Sequence, residues 1–447
     1  MTPDGNINLQ ITNFNSPPDG AFAVRTAAVA ARLARKFNAP EIAGVVEAFL
    51  KRQGDGLLKG GIHTPNHRWV MSAALASLDE LYPQDPRYRR RAEQWLAEGI
   101  DIDTDGQYTE RSSGTYNIVV NQSLVQIADK LGKPALLDAV RKNLASVFQL
   151  LDHGDELVTD ISTRQDQFTK VDIGGYWYPL AYLAWKDSNP VYAHLARKYA
   201  DRHAPTSYLL LEPKLALDGA RTEAPPDTYR HVFAGLQVAR IRRGPRSATV
   251  FGQRTSRFLA VRNGDSVLRA IRFATGFFGK GQFLPASGLR QQDGGFQLTQ
   301  TLSGPYFQPF ENRQVGMDFD RTRRERRQTE VCQLTQSAMI QERDWGIELV
   351  IEAKGTDEVP TLIELNFREG GQFEGQGLVA IEGAPESRYL AKGTAAYTVG
   401  QDRLRIGPGL HEHRWIDVRG AEPRLPGPSL LLTGFTPFRQ ILRIEWI

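Results

Sequence analysis

The stretch TPNHRWVMSAALASLDEL at residues 64–81 reads as a helix with a well-defined start. Thr64 is a good N-cap, and Pro65 suits the first helical position, where a missing amide donor costs little. Apolar residues then recur at helical spacing from Trp69 onward. Asn66 and His67 therefore fall in the first turn of the predicted helix, close to its unpaired backbone amides.

The same helical spacing extends on both sides of this stretch, from Ala21 to about His203. It predicts eight helices, or four helix hairpins, at 21–37, 40–52, 64–81, 85–99, 113–131, 134–151, 174–185 and 190–202. No alternating strand pattern is found in this half. We therefore expect a helical domain over residues 1–207.

After the Pro-rich stretch 204–226 the apolar period changes to two, as in 236–242. Short strand-like runs follow at regular intervals, separated by turn signals such as Asn263-Gly264 and Asp293-Gly294-Gly295. This pattern predicts stacked antiparallel sheets over residues 208–447. The fold class is thus α+β and multidomain, with a boundary near 205–228.

Composition limits the range of partners. Lys and Arg number 55 and Asp and Glu 51 in 447 residues, a net charge of +4. This small excess fits an acidic polysaccharide better than nucleic acid, which needs a concentrated basic footprint. No run of 18 apolar residues is present, so no membrane partner is expected. A homo-oligomer is left open.

The N-terminal region lacks a basic start followed by an apolar run, as a signal peptide would have. We expect a soluble protein. It would be cytoplasmic, or periplasmic or secreted if a signal peptide has been removed.

The first candidate site residues are Asn66, His67 and Arg68. The positive end of a helix favours an anion, so backbone amides, Asn66 and Arg68 are predicted to hold a sugar carboxylate. The alternative is that His67 merely caps the helix or packs against its neighbours.

A second cluster is the polar segment 105–117, which leads into another predicted helix. Tyr116 falls in the first turn of that helix, whose positive end stabilises a phenolate and so suits proton transfer. Tyr108 and Glu110 are predicted to bind substrate. Alternatively, Tyr116 packs against the sheet domain.

The third cluster combines the polar run 164–168 with the aromatic helix start 174–178. Aromatic rings stack on apolar sugar faces and amides bind hydroxyls, so Arg164, Gln167, Tyr176 and Tyr178 are predicted to contact a sugar. An ordinary polar loop before a buried helix start is the competing interpretation.

Metal and cofactor sites are not predicted. His411 and His413 lie two apart on a probable strand with no nearby thiolate, which is a weak zinc pattern. A Gly-x-Ser-x-Gly elbow is missing from the sequence, which disfavours an ester hydrolase.

The sequence resembles the heparinase II/III-like and alginate-lyase-like polysaccharide lyases. The resemblance rests on Asn66-His67 at a helix start and on Asp105-Gly106, Glu110, Ser112 or Ser113 and Tyr116. It covers most of the chain and implies an N-terminal incomplete (α/α) toroid, carrying the catalytic cleft, followed by a large antiparallel β-sandwich. His231 is similar to the family's β-domain histidine.

The resemblance also implies a reaction, β-elimination at a uronic acid. Asn66 and Arg68 would neutralise the carboxylate, His67 or Tyr116 would remove the C5 proton, and Tyr116 would protonate the departing C4 oxygen. Arg164, Gln167, Tyr176, Tyr178 and His231 would position the sugar. The glycan is left open among a glucuronate-bearing gum side chain, a glycosaminoglycan and alginate.

Two departures from the family and two rival functions accompany this interpretation. The helical part has about four hairpins, fewer than a full toroid, and the family's His-rich β-domain motif is replaced by Gly264-Asp265 and 272–280.

An (α/α)-type glycoside hydrolase would use paired carboxylates, for which the candidates are Glu110, Asp103, Asp155 and Asp166. A non-catalytic carbohydrate-binding protein is the third possibility.

Overall fold

The computed structural model describes residues 1–253, 255–311 and 318–447. The chain forms two compact units, Met1–Pro226 and Asp227–Ile447. No helix in the described part of the chain is both long and apolar enough to cross a membrane.

The first unit is helical, and helices occur near all eight predicted positions. They are α1 Pro17–Lys36, α2 Pro40–Lys59, α3 Pro65–Leu81, α4 Arg87–Leu96, α5 Tyr116–Lys130, α6 Leu137–Gln149, α7 Trp177–Asp187 and α8 Pro190–His203. Sequence analysis missed a small hairpin, β1 Ile7–Leu9 and β2 Asn13–Ser16, and a short helix, α9 Thr206–Leu211. Short 3-10 turns cover Pro134–Leu136, His153–Asp155, Ile173–Tyr176 and Pro213–Ala216.

Helix α3 is the interior helix of this unit. Almost every residue from Asn66 to Asp79 is buried, and the helix packs against α1, α4 and α5. A helix that is apolar nearly all round has to lie inside a core. Its first turn is therefore fixed against the neighbouring loops.

The second unit consists of two sheets that enclose one core. Within the described residues, the first sheet has nine strands and the second has eight. Among the described residues, neighbouring strands of these sheets are antiparallel, except that the strand at 388–390 runs parallel to the strand at 429–435. Buried residues of both sheets, such as Ile241 and Ile351, belong to one apolar cluster.

The strands have the following bounds. They are β3 Thr228–Phe233, β4 Val238–Arg243, β5 Arg246–Phe251, β6 Leu259–Asn263, β7 Ser266–Thr275, β8 Arg290–Gln292, β9 Gly295–Phe307, β10 Gln328–Arg343, β11 Gly346–Gly355, β12 Pro360–Phe367, β13 Gln372–Glu374, β14 Leu378–Ala380, β15 Arg388–Leu390, β16 Ala395–Val399, β17 Asp402–Gly407, β18 Ser429–Phe435 and β19 Phe438–Trp446. Helical turns Phe319–Thr322 and Arg323–Glu325 precede β10. In the part of the chain that the structure describes, the nine-stranded sheet has the order β14-β15-β18-β12-β7-β6-β5-β4-β3, and the eight-stranded sheet has the order β13-β16-β17-β19-β11-β10-β9-β8.

The predicted fold class is confirmed: a helical N-terminal part is followed by a large, mainly antiparallel β part. The first unit ends at Pro226, whereas the sequence analysis gave the helical domain the bounds 1–207. Residues beyond 207 still belong to the helical unit, because Leu215 and Leu217 pack in its core. Closure of the hairpins into a partial ring stays a prediction.

Candidate active site

A buried carboxylate occupies the start of α3. The backbone amide and the Nδ2 of Asn66 both donate to Oε2 of Glu110, at 3.1 and 2.7 Å. Asn66 is 1% exposed and Glu110 6% exposed. The anion that sequence analysis expected at this helix terminus is thus present, but it is the chain's own Glu110.

Arg164 connects this carboxylate to Tyr116. Its Nε lies 3.3 Å from Oε1 of Glu110, and its guanidinium carbon lies 5.1 Å from the centroid of the Tyr116 ring. The Tyr116 hydroxyl also accepts a hydrogen bond of 3.0 Å from Nε2 of Gln165. We call Asn66, Glu110, Arg164, Gln165 and Tyr116 the Asn66–Tyr116 network.

His67 lies beside this network as a buried imidazole. It is 7% exposed, and its ring centroid is 4.6 Å from that of His63. Burial, with smaller contributions from the neighbouring His63 and Arg164, lowers the pKa of His67 to about 4 against an opposing effect of Asp19. At neutral pH the imidazole is therefore uncharged and has a lone pair with which to accept a proton.

Among the residues that the structure describes, three polar atoms in this region are buried without a hydrogen-bond partner. They are Oδ1 of Asn66, Nδ1 of His67 and Oε1 of Glu110. The Glu110 atom has Arg164 nearby at 3.3 Å, but the contact lacks hydrogen-bond geometry. An unsatisfied buried group costs about 1–3 kcal/mol, so three such atoms in one region are unusual in a folded protein.

Asp166 attaches the loop that carries Arg164 and Gln165 to the start of α5. Its carboxylate accepts from the Ser112 hydroxyl at 2.7 Å, the Ser162 hydroxyl at 2.8 Å and the Gly114 amide at 2.9 Å. Ser112 in turn accepts from the backbone amide of Tyr116 at 3.0 Å. These bonds explain why two residues some 50 positions from Tyr116 in the chain meet its side chain.

The structure therefore brings together five of the predicted site residues: Asn66, His67, Glu110, Tyr116 and Arg164. Sequence analysis did not select Gln165 or His63. The sequence offers one indication of their role, which is that each lies next to a selected residue. Loop residues have no apolar period, so the sequence does not predict which way their side chains point.

Arg68 is engaged elsewhere. Its guanidinium lies 2.8 Å from Asp101 and 3.2 Å from Glu98, and it stacks 4.7 Å from the Trp69 ring. These contacts pair Arg68 with two carboxylates, whereas Arg164 contacts that of Glu110.

Two predicted sugar-binding tyrosines are interior residues. The Tyr108 hydroxyl donates to Oδ1 of Asn121 at 2.7 Å, and the Tyr176 hydroxyl donates to the Ser113 carbonyl at 2.7 Å. Both side chains are at most 1% exposed. Both side chains support the loops around the network from the interior. For Tyr176, this agrees with the competing interpretation of a buried aromatic residue at a helix start.

Three further predicted residues lie outside the network. Gln167 is exposed and donates to the Asp160 carbonyl at 3.3 Å. Tyr178 is buried and packs edge-on against Tyr208, with ring centroids 4.9 Å apart. His231 is on β3 of the other unit, with its ring 4.4 Å from that of Phe233.

Among the described residues, no group of three or more His, Cys, Asp or Glu side chains is arranged to hold a metal ion. His413 has its Nε2 3.0 Å from the Thr361 carbonyl, and His411 stacks on Tyr389 with ring centroids 4.3 Å apart. Both imidazoles are thus parts of the packing of the β unit.

Comparison with solved structures supports the fold. The chain is similar to heparinase III, with a TM-score of 0.51 and 11% identity over 100% of this chain and 69% of that one. It is also similar to the heparan sulfate lyase HepC from Pedobacter heparinus, with a TM-score of 0.51 and 12% identity over 97% and 68% of the two chains. The chondroitin AC lyase of Streptomyces coelicolor A3 gives a TM-score of 0.53 and 12% identity over 95% and 66%.

These neighbours are polysaccharide lyases, as the sequence resemblance implied, and at this identity the likeness concerns the fold. The chain spans about two thirds of their length. No family model matches the sequence, and no curated protein matches it.

Replacing Asp166 tests its part in positioning the loop. We expect Asp166→Ala to lower the free energy of unfolding by about 3 kcal/mol, because it leaves buried donors unpaired. The exposed neighbour serves as a control, and Gln167→Ala should change stability by about 0.5 kcal/mol or less. Chemical denaturation of the full-length protein measures the free energy of unfolding of both variants. Equal stabilities of the two variants would contradict the positioning role of Asp166.

The environment of His67 predicts a pH dependence. In the unfolded chain histidine titrates near 6.5, and in the folded protein His67 titrates near 4, so between these values only the unfolded state binds the proton. The contribution of His67 to stability is therefore greatest above about pH 6.5 and declines as the pH falls toward 4.

NMR titration of the His67 imidazole measures this directly, and His67→Asn should flatten stability against pH in that range. An imidazole that becomes protonated near pH 6.5 or above would refute the prediction.

Proposed function

We propose that this chain is a polysaccharide lyase that cleaves a uronic-acid-containing glycan by β-elimination. The observation that carries the proposal is the Asn66–Tyr116 network with the neutral His67 beside it. It combines a cation for a carboxylate with groups suited to moving a proton, and the fold it shares with solved lyases supports the same chemistry.

Recognition of the uronate falls to Arg164. Its side chain is 36% exposed and its guanidinium lies between Glu110 and the Tyr116 ring. Removing the C5 proton places charge on the carboxylate, and a fixed guanidinium stabilises that charge as it develops. Neutralisation by Arg164 replaces the role first assigned to Arg68.

Asn66 has a different part in this scheme. Its Nδ2 already donates to Glu110 at 2.7 Å and to the Thr64 hydroxyl at 3.1 Å, so both amide protons are used. Its Oδ1 is a buried acceptor without a hydrogen-bond partner among the described residues. Glu110 holds this amide in one orientation and fixes one side of Arg164.

Proton transfer involves His67 and Tyr116. One of them takes the C5 proton, the electron pair of that bond forms the C4–C5 double bond, and the C4–oxygen bond breaks. Tyr116 carries a hydroxyl proton that it can give to the leaving oxygen, whereas a neutral imidazole is suited to accepting one. Tyr116 is therefore assigned the protonation of the departing oxygen. The parts of Gln167, Tyr178 and His231 in positioning the sugar remain predictions.

Removing the Tyr116 hydroxyl should abolish proton delivery. We expect Tyr116→Phe to lower kcat by about 10²–10⁴-fold, the usual contribution of a general acid or base. The readout is ultraviolet absorbance of the unsaturated uronate formed from uronate polysaccharides, with exposed Tyr306→Phe as the matched control.

The same assay separates the rival functions. A glycoside hydrolase would lose activity in Glu110→Gln, retain it in Tyr116→Phe, and release only saturated sugars. Tight binding with no product after long incubation would indicate a non-catalytic binding protein. Either result would reject the lyase proposal.

Arg164 and Arg68 should respond differently to truncation. Loss of a desolvated charge partner costs about 2–5 kcal/mol, so Arg164→Ala should lower kcat/KM at least about 30-fold. Arg68→Ala should reduce stability through Asp101 and Trp69 while kcat/KM per folded molecule changes by only a few fold. A larger loss of kcat/KM in Arg68→Ala than in Arg164→Ala would indicate that Arg68 binds the carboxylate.

A further inference from the structure

We propose that Asp19 is a positioning residue for the elimination, and that its carboxylate stabilises the imidazolium that His67 becomes when it takes the C5 proton. The inference rests on the proposed function and adds a residue to its site. Sequence analysis did not select Asp19, which lies in the first turn of α1.

Helix packing brings the start of α1 to the start of α3. The first turn of α1 contacts the end of α2 so closely that a Cβ on Gly60 would clash with the side chain of Pro17. Residues 61–64 then lead directly from Gly60 into α3, and α1 and α3 also pack against each other. The first turns that carry Asp19 and His67 therefore lie at the same end of the helical unit.

The β1–β2 hairpin holds the Asp19 carboxylate in place. Nδ2 of Asn13, at the start of β2, donates to Oδ2 of Asp19 at 2.9 Å. Ser16, at the end of β2, caps α1, and its hydroxyl accepts from the backbone amide of Asp19 at 3.3 Å. Within the hairpin, Nδ2 of Asn6 donates to Oδ1 of Asn15 at 3.1 Å. These bonds limit the freedom of the carboxylate.

The surroundings of His67 otherwise oppose a positive charge on its imidazole. The side chain is 7% exposed, and burial, His63 and Arg164 all lower its pKa, whereas Asp19 raises it. Glu110, a second carboxylate near the start of α3, is engaged with Arg164. A charge out of water is costly without a partner, so a proton that moves to His67 needs a nearby anion.

Two further ionisable groups border the first turn of α3. Arg68 pairs with Asp101, at 2.8 Å, and the phenol of Tyr116 lies beside the guanidinium of Arg164. Neither arrangement brings an anion to His67, which leaves the Asp19 carboxylate to do so.

The reaction gives this carboxylate a defined part. As the C5 proton moves to His67, the electron pair of the broken bond enters the C4–C5 double bond, and the imidazole becomes positively charged. Asp19 stabilises that charge while it develops, and the proton stays on His67. Without the carboxylate, the imidazole is a weaker base.

Asp19→Asn tests this part, because it removes the charge and keeps an oxygen that can accept from Asn13. We expect the NMR titration midpoint of His67 to move from about 4 to lower pH, by about one unit. The acid limb of kcat/KM against pH should move the same way, because the free enzyme reacts with His67 unprotonated. We expect kcat to fall about 3- to 10-fold, since one pKa unit is a tenfold change in basicity. A purely structural role would lower stability without moving the midpoint.

Three further variants separate charge from structure. Asp138→Asn removes a carboxylate from the first turn of α6, where the side chain is 77% exposed, and should leave the His67 midpoint and kcat unchanged. Asp19→Glu keeps the charge, so its midpoint should lie closer to that of the unaltered protein than the midpoint of Asp19→Asn does. Asn13→Ala releases the carboxylate without altering α1, and it should lower the midpoint by a smaller amount.

The outcomes separate the two proposals. An unchanged His67 midpoint in Asp19→Asn would overturn the role of Asp19, and unsaturated product from the unaltered protein would leave the lyase activity standing. No unsaturated product from any uronate polymer would overturn the proposed function and this inference with it.

Discussion

The site depends on one interaction, the contact of the buried Glu110 carboxylate with the first turn of α3. A charge taken out of water needs partners, and Glu110 finds them in two hydrogen bonds from Asn66 and in the guanidinium of Arg164. The positive end of α3 adds to this stabilisation. Because one carboxylate joins three segments of chain, the orientation of Asn66 and the position of Arg164 are linked.

A second buried carboxylate, that of Asp166, fixes the surroundings of Tyr116. Asp166 binds two serine hydroxyls and a backbone amide, and through them it places the loop of Arg164 and Gln165 beside the first turn of α5. Two buried acidic groups thus hold the loops together around the half-buried guanidinium of Arg164 and phenol of Tyr116. Rigid supports of this kind keep reacting groups in a fixed geometry.

Most of the fold was predictable because it follows from local patterns. The eight main helices were found from apolar spacing and from Pro and cap residues, and the change of period after residue 204 separated the two kinds of domain. The missed elements are short: the β1–β2 hairpin and α9 contain too few residues for a period to show. The helical unit extends to Pro226, within the boundary region 205–228 expected from the sequence, because Leu215 and Leu217 join its core through tertiary packing.

By itself, the sequence determined the order of the two domains and the presence of Asn66, His67 and Tyr116 at helix starts, since caps and apolar periods act over a few residues. Tertiary structure decided which partners each charged side chain has. Arg68 pairs with Asp101 and Glu98, whereas Arg164 pairs with Glu110 and lies beside Tyr116. Ion pairing and burial depend on residues distant in the chain, and no local pattern records them.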